Sequence, residues 1–251
     1  GGGGGGSIVG LVILLVIIFV VVALISARRR QQPVEPPFED HLSGRPAWSP
    51  PPGGASVPDT AEEGGGGGLA AIQAHDPAFD VAAFTASVER AFFTVQEAWT
   101  EQKPDMSRQV MADGVWQQHR AQIEGYQRSG RRNVLEGLTV GRADIIRAAS
   151  DATYDTITVR FLAACADYDI DTASNKVVRG NKSVDQWSED WVFQRSAAAT
   201  TKADGGTLQK KCPNCGAPLN LDLAGVCHYC RAPVMSGDYD WVLTRIDQVA
   251  V

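Results

Sequence analysis

Four of the five cysteines lie in two closely spaced pairs near the C-terminal end of the chain. Cys212 and Cys215 form the first C-x-x-C pair, and Cys227 and Cys230 form the second. Two residues between thiols allow both sulfurs of one turn to reach a single ion at about 2.3 Å, so two pairs complete a tetrahedral shell. The spacing predicts a structural zinc (Zn2+) site in a zinc ribbon over residues 207–235, with no open coordination position for catalysis.

Two disulfide bonds are the alternative for these four thiols, and they would require an oxidising compartment. A redox function is disfavoured because no strand–helix context surrounds either C-x-x-C pair. Cys165 falls on the inward side of a predicted strand and is interpreted as a core thiol. Residues 197–206 and Ser236-Gly237 have loop character, which predicts that the ribbon is inserted between the last two strands.

An uncharged apolar run over residues 8–27, after a glycine-rich flank at 1–7, has the length of a membrane-spanning helix. A buried core helix and a signal peptide are the alternatives, but a signal peptide has a shorter apolar region that follows positive charge. Here Arg28, Arg29 and Arg30 come after the run, and the positive-inside rule places that side in the cytoplasm. We therefore expect a single-pass protein of the plasma (inner) membrane with a cytoplasmic C-terminal domain.

Residues 28–75 are rich in proline and glycine, including Pro50-Pro51-Pro52 and the glycine run at 64–68. Such a segment cannot bury enough apolar surface to offset the entropy lost on ordering it. It is interpreted as a basic stop followed by a disordered linker, and the folded domain is expected over residues 76–251.

The first part of that domain has helical periodicity. Asp76 is expected as the N-cap and Pro77 as the first residue of a helix whose apolar stripe runs from Val81 to Trp99. A second helix is expected over residues 115–127. Alternating apolar residues then predict antiparallel strands, which cover about 134–148, 154–166, 187–195 and 239–249.

Helices followed by antiparallel strands indicate an α+β fold, in which helices pack on a curved sheet to form a cone. Large aromatic residues from both layers would face the interior of the cone. They are either plain core or the lining of a ligand pocket. The candidates for the pocket lining are Phe92, Trp99, Trp116, Phe161, Trp187, Trp191 and Trp241.

Several of these segments resemble the Tim44-like domain family. The resemblance is carried by residues 76–80 (Asp-Pro-Ala-Phe-Asp), by residues 92–99, by the strands at 138–148 and 154–166, and by residues 185–195. It implies a cone related to the nuclear-transport-factor-two fold and a non-enzymatic role in tethering or recruiting partner proteins at membranes. Mitochondrial relatives hold the import motor at the inner-membrane translocase, and others bind ribosomes. The predicted span and ribbon set this chain apart from the mitochondrial form.

Two other functions stay open at this level. A cone-shaped isomerase-like or small-molecule-binding enzyme would need a general base in its cavity, and Asp144 and His119 are the candidates. The ribbon is also a candidate contact for a ribosome or nucleic acid, although a net charge of −6 disfavours phosphate binding. The basic residues around the ribbon are Lys202, Lys210, Lys211 and Arg231.

The expected partner is an unidentified protein, with an anionic lipid surface as a further possibility. Basic residues that follow the apolar span and the second helix are the candidates for contact with anionic headgroups. They are Arg28, Arg29, Arg30, Arg128, Arg131 and Arg132.

Overall fold

The computed structural model describes residues 62–63, 66–203 and 205–249. Within that part, helices pack on one five-stranded antiparallel sheet with the order β1-β2-β3-β4-β5, which is the expected α+β class. The helices are α1 (Gly66–His75), α2 (Val81–Thr100) and α3 (Asp113–Arg128). The strands are β1 (Glu62–Glu63), β2 (Arg131–Ser150), β3 (Tyr154–Asp171), β4 (Val177–Ser196) and β5 (Val242–Val249), with 3-10 turns at Pro104–Ser107 and Thr207–Gln209.

The predicted membrane span over residues 8–27 lies outside the described residues. The same holds for Arg28, Arg29 and Arg30 and for the linker as far as residue 61. Among the helices that the structure describes, none is long and apolar enough to cross a bilayer.

The C-terminal end of the expected linker is folded, because α1 occupies residues 66–75. Ile72 of α1 is fully buried in the main core, and the helix packs on β2. Gly68 permits this contact, since a Cβ at that position would lie 2.0 Å from the carbonyl oxygen of Ala148. The prediction of disorder is therefore wrong for this segment: part of the glycine run serves close helix–sheet packing and not flexibility.

Gly68→Ala should lower the free energy of unfolding by about 1–3 kcal/mol, because the added methyl group forces α1 away from β2. Gly67→Ala is the matched control, since Gly67 is exposed in the same helix. Alanine there should be neutral or stabilise by up to about 1 kcal/mol through its higher helix propensity. Urea denaturation measures both values, and equal effects at the two positions would contradict the packing role of Gly68.

The helix α2 begins later than the sequence predicts. Its N-cap is Asp80, whose carboxylate accepts a hydrogen bond from the Ala83 amide at 2.7 Å. Asp76 follows directly after α1 and is buried, and its carboxylate lies 2.8 Å from the guanidinium of Arg195. The predicted N-cap role of Asp76 is wrong because its carboxylate forms a buried ion pair with Arg195. Pro77 lies in the turn between the two helices.

The four predicted strands are confirmed as β2 to β5, and β2 to β4 are longer than expected. Register shifts interrupt the pairing of β2 with β3 near Gly137, Gly141 and Ile146. Such bulges bend a strand and increase its twist, which lets long strands curve around a helix. The last strand, β5, pairs with β4 opposite residues 188–194.

The main core lies between the helices and one face of the sheet. Phe92 of α2 stacks on Phe161 of β3 with ring centroids 4.6 Å apart, and Trp191 of β4 lies 5.1 Å from Phe92. All seven aromatic residues considered as a pocket lining are in this core, and none is more than 9 % exposed. Trp241 also lines a cavity at the start of α2. A pocket-lining role for the other six stays a prediction.

Candidate metal centre

The four paired cysteines converge on one point. The sulfurs of Cys212, Cys215, Cys227 and Cys230 all lie within 4.8 Å of one another. Cys212 Sγ and Cys230 Sγ are 3.6 Å apart, and all four thiols are free of disulfide bonds. A tetrahedral ion with metal–sulfur bonds of about 2.3 Å requires sulfur–sulfur distances of about 3.8 Å. The arrangement therefore fits a four-thiolate metal ion and not a pair of disulfides.

The two C-x-x-C pairs have the same backbone geometry. In the first, the Gly216 amide donates to the Cys212 carbonyl, and the Cys212 amide donates to the Ala217 carbonyl, both at 2.8 Å. The second pair repeats both bonds around Cys227 and Arg231 at 2.9 Å. Gly216 and Arg231 close these turns with positive φ angles of 73° and 63°. Each pair is thus a tight turn of the kind that presents two thiols to one ion.

The surroundings of the thiols differ across the cluster. Burial raises the pKa of Cys212 to about 12, whereas a hydrogen bond from the Asn214 side chain lowers the pKa of Cys230 to about 6. A bound cation deprotonates a coordinating thiol, so it would hold Cys212 as a thiolate despite its burial. Cys212 and Cys227 are buried, and Cys215 is exposed, which leaves one side of the cluster open for a metal to enter.

Arg108 fixes the cysteine-bearing segment to the helical layer. Its buried guanidinium donates from Nε to the Leu223 carbonyl at 3.1 Å and from Nη1 to the Met111 carbonyl at 2.9 Å. Nη2 lies 3.1 Å from a carboxylate oxygen of Asp113 at the start of α3. Gly225 allows this approach, because its φ is +73° and a Cβ there would lie 2.4 Å from Nη2. One side chain thus joins the loop between the two cysteine pairs to α3.

The segment lies within the connection from β4 to β5, two strands that are adjacent and antiparallel. Its two ends meet at Asp240, whose carboxylate accepts hydrogen bonds from the amide and the hydroxyl of Thr207 at 2.7 and 2.9 Å. Val234, Met235 and Val242 form a small apolar cluster with the buried cysteines, apart from the main core. The cysteines therefore belong to a separate unit set between the last two strands.

The family follows from a comparison with known domains. A model of the Tim44-like domain matches residues 66–205, more than half of the chain. The chain belongs to the Tim44-like domain family. The match begins with α1 and ends before Cys212, so the metal segment lies beyond the matched residues.

A search of curated proteins finds no match. Among solved structures, the intermembrane space region of chloroplast protein ARC6 is similar, with 10 % sequence identity and a TM-score of 0.36. The aligned part covers 69 % of this chain and 98 % of that one.

The arginines at the end of α3 and just after it have different surroundings. Arg128 is exposed and lies 3.7 Å from Glu124, one helical turn earlier. Arg131 binds the buried carboxylate of Asp169, and Arg132 is half-buried. Arg131 therefore neutralises an internal charge, while Arg128 keeps its charge at the surface. Contact of these residues with anionic lipid stays a prediction.

The two residues considered as general bases have unrelated surroundings. His119 is buried, with Nδ1 3.0 Å from the hydroxyl oxygen of Ser107, and burial lowers its pKa to about 4. Asp144 lies on β2 with an exposed side chain that binds Arg142. His119 is therefore neutral at physiological pH, and Asp144 forms a surface ion pair with Arg142.

The stability of the domain should fall as the pH falls from 6.5 to 4. Folded His119 stays neutral down to about pH 4, whereas the unfolded residue takes up a proton at about pH 6.5, so the unfolded state binds more protons in this range. His119 alone should lower the free energy of unfolding by on the order of 3 kcal/mol between pH 6.5 and pH 4. His119→Asn should flatten this part of the curve in urea titrations. An identical pH dependence in variant and wild type would refute the assignment.

Sequence reasoning missed a buried ionic cluster at the end of the sheet next to α1. Arg195 is 1 % exposed, and it binds Asp76 at 2.8 Å and Asp155 at 3.0 Å. Asp155 also binds His75 of α1 at 3.0 Å and Ser150 of β2 at 2.8 Å. The cluster joins one helix to three strands. No local sequence pattern predicts this cluster, because its members lie far apart in the sequence.

Proposed function

We propose that the chain is a non-enzymatic binding module whose Tim44-like domain recruits a protein partner and whose last strands are held by a structural zinc ribbon. In this proposal the apolar run at 8–27 anchors the chain in the plasma membrane with the domain in the cytoplasm. The observation that carries the proposal is the convergence of four thiols within 4.8 Å on a segment docked against the domain. Four thiolates favour zinc and fill its shell, so the ion supports the fold and offers no position to a substrate.

A protein partner is supported by the free edge of β4. Because β5 pairs only with residues 188–194, residues 177–187 have no strand beside them on that side in the described ranges. Val177, Val178 and Val184 are 45–67 % exposed in this half of β4. An open edge presents unpaired backbone amide and carbonyl groups, with which an extended segment of another protein can pair.

Proximity labelling from the C-terminus of the full chain in intact cells tests the recruitment. Val178→Lys combined with Val184→Lys places charge on the open edge and should remove a defined set of labelled cytoplasmic proteins. Leu223→Lys is the matched control, because Leu223 is similarly exposed but lies in the cysteine segment. An unchanged set in the β4 variant, or labelling of proteins from outside the cell, would contradict the proposal.

The anchor has its own test. Deletion of residues 8–27 should move the chain from the membrane pellet to the supernatant after alkaline carbonate extraction, because the span supplies the apolar surface that holds it in lipid. Retention of the deleted form in the pellet would argue against this anchor.

A further inference from the structure

A cleft of about 510 Å3 lies on the face of the sheet opposite the main core. Its polar lining residues come from four strands and are Arg147, Thr158, Arg160, Asp190, Arg245 and Asp247. Their sequence neighbours Ile157, Val159 and Ile246 belong to the main core, so the alternation of the strands turns the lining side chains away from it. None of the four metal-site cysteines lines the cleft. The cleft is therefore separate from both the core and the metal centre.

Two of the three arginines in the cleft each hold one carboxylate. Arg160 donates from Nε and Nη2 to the two carboxylate oxygens of Asp190, both at 2.7 Å. Arg245 donates from Nε to Asp247 at 2.8 Å. Asp190 and Asp247 are direct cross-strand neighbours, so the two ion pairs lie side by side. A guanidinium carries five N–H donors, and both arginines therefore keep donors for a further acceptor.

Arg147 is the third arginine, and it has no carboxylate. Among the described residues its guanidinium has no hydrogen bond or ion pair, although the residue is half-buried. It lies opposite Thr158, one strand away from β3 residues that line the same cleft. Three guanidinium groups against two carboxylates leave the lining with one positive charge. The cleft therefore has a place for one more negative group.

The charges and hydrogen-bonding groups of the lining select the kind of ligand. A single carboxylate balances the remaining charge and fits the fork of a guanidinium. A dianionic phosphate would leave excess negative charge beside Asp190 and Asp247 in a half-enclosed site. The two aspartates keep lone pairs that can accept from hydroxyl groups, and Ile146 is the one apolar residue of the lining. The body of the ligand should therefore be polar and carry hydroxyl groups.

We propose that the cleft binds a small polyhydroxy monocarboxylic acid, such as a sugar acid. Its carboxylate accepts hydrogen bonds from Arg147, and its hydroxyl groups donate to Asp190 and Asp247. The volume of the cleft is within the range of small-molecule sites. The site does not include the open edge of β4 at residues 177–187, so its ligand is distinct from the recruited protein.

The test titrates the full chain in a neutral detergent and follows the probe by ligand-observed NMR. D-gluconate is the probe, sorbitol has a comparable hydroxylated chain without the charge, and glucose 6-phosphate carries a dianion. Gluconate should bind saturably and at least tenfold more tightly than sorbitol, the effect of losing a charged hydrogen bond. Glucose 6-phosphate should also bind more weakly than gluconate. The proposal is overturned if gluconate does not bind, or if either of the other compounds binds as tightly.

A pair of variants assigns the binding to Arg147. Arg147→Gln removes the charge and should weaken gluconate binding at least tenfold. Arg142→Gln is the matched control, because Arg142 is on the same strand, is 70 % exposed, binds Asp144 and does not line the cleft. The control should stay within twofold of the wild type, and urea unfolding should show that both variants are folded. Equal affinities of the two variants would overturn the proposal.

The chain itself supplies the competing explanation for Arg147. The short strand β1 pairs with β2 so that Glu63 is opposite Arg147. If the ligand takes the place described above, Glu63→Gln should change the affinity for gluconate by less than twofold. A tenfold gain in this variant would show that a carboxylate of the chain occupies Arg147, and it would overturn the proposal.

Discussion

Cys227→Ser should abolish metal binding and unfold the segment between the two cysteine pairs. Cys227 is fully buried, and its loss leaves three thiolates around an incomplete shell. Structural zinc contributes about 10–16 kcal/mol of apparent binding free energy in small zinc-finger peptides, far more than the small apolar cluster around Cys212 can replace. Elemental analysis should find one zinc ion per wild-type chain and almost none in the variant.

Cys165→Ser is the matched control for this experiment. Cys165 is fully buried on β3 and is not one of the four converging cysteines. The control should keep its zinc and lose only the stability expected for placing a hydroxyl group in an apolar core. Metal retained by Cys227→Ser, or lost equally from the control, would refute the four-thiolate site.

Chelation of the wild-type chain gives the same result without a substitution. Removal of zinc should open residues 207–235 to protease while the sheet from β2 to β4 stays protected, because Leu208 is the only residue of this segment that belongs to the main core. Simultaneous collapse of the sheet would contradict the picture of a separate inserted unit.

Arg195→Ala should lower the free energy of unfolding by about 3–5 kcal/mol, because it leaves Asp76 and Asp155 buried without their cation. Arg160→Ala is the matched control. Arg160 donates two hydrogen bonds of 2.7 Å to Asp190, but its side chain is 43 % exposed, and exposed pairs contribute at most about 1 kcal/mol. Urea unfolding at pH 7 measures both. Equal losses would show that burial does not set the strength of these pairs.

The pH dependence of the Arg195 variant provides an independent check. Burial opposes ionisation of Asp76, but hydrogen bonds from Thr201 and Arg195 outweigh it and hold the Asp76 pKa below its ordinary value. The wild type therefore keeps this stabilisation above the unfolded pKa and loses it as the pH falls through the folded pKa. In the variant, the Asp76 carboxyl group is buried without its cation, and taking up a proton removes this penalty. The difference between variant and wild type should then shrink from pH 7 to pH 4.

The sheet could be predicted because alternation is a local signal. Ile157, Val159 and Phe161 all face the core, as their spacing of two requires. The metal ligands could be predicted for a similar reason, since a C-x-x-C turn brings its own two sulfurs together. The contact between the two turns depends on tertiary structure and could not be read from the spacing of either pair.

The features that escaped prediction depend on contacts between distant parts of the chain. Gly68 looks like linker in sequence, and only the carbonyl of Ala148 shows why a side chain is excluded there. Asp76 looks like a helix cap until Arg195 is placed beside it. Arg108 carries no motif, although it joins the cysteine segment to α3. Tertiary context overrides local propensity at each of these positions.

With the proposed zinc ion in the four-thiolate site, the position of the cysteine unit between β4 and β5 makes the last step of folding depend on the zinc supply of the cell. The chain leaves the sheet at Ser196 and returns only at Val242. The last strand can therefore pair with β4 only after the connecting segment has become compact. In a zinc-starved cell, newly made chains would expose the second half of β4 as well as the first. Such unfinished sheets are substrates for aggregation and proteolysis, so the abundance of the protein would follow the zinc supply.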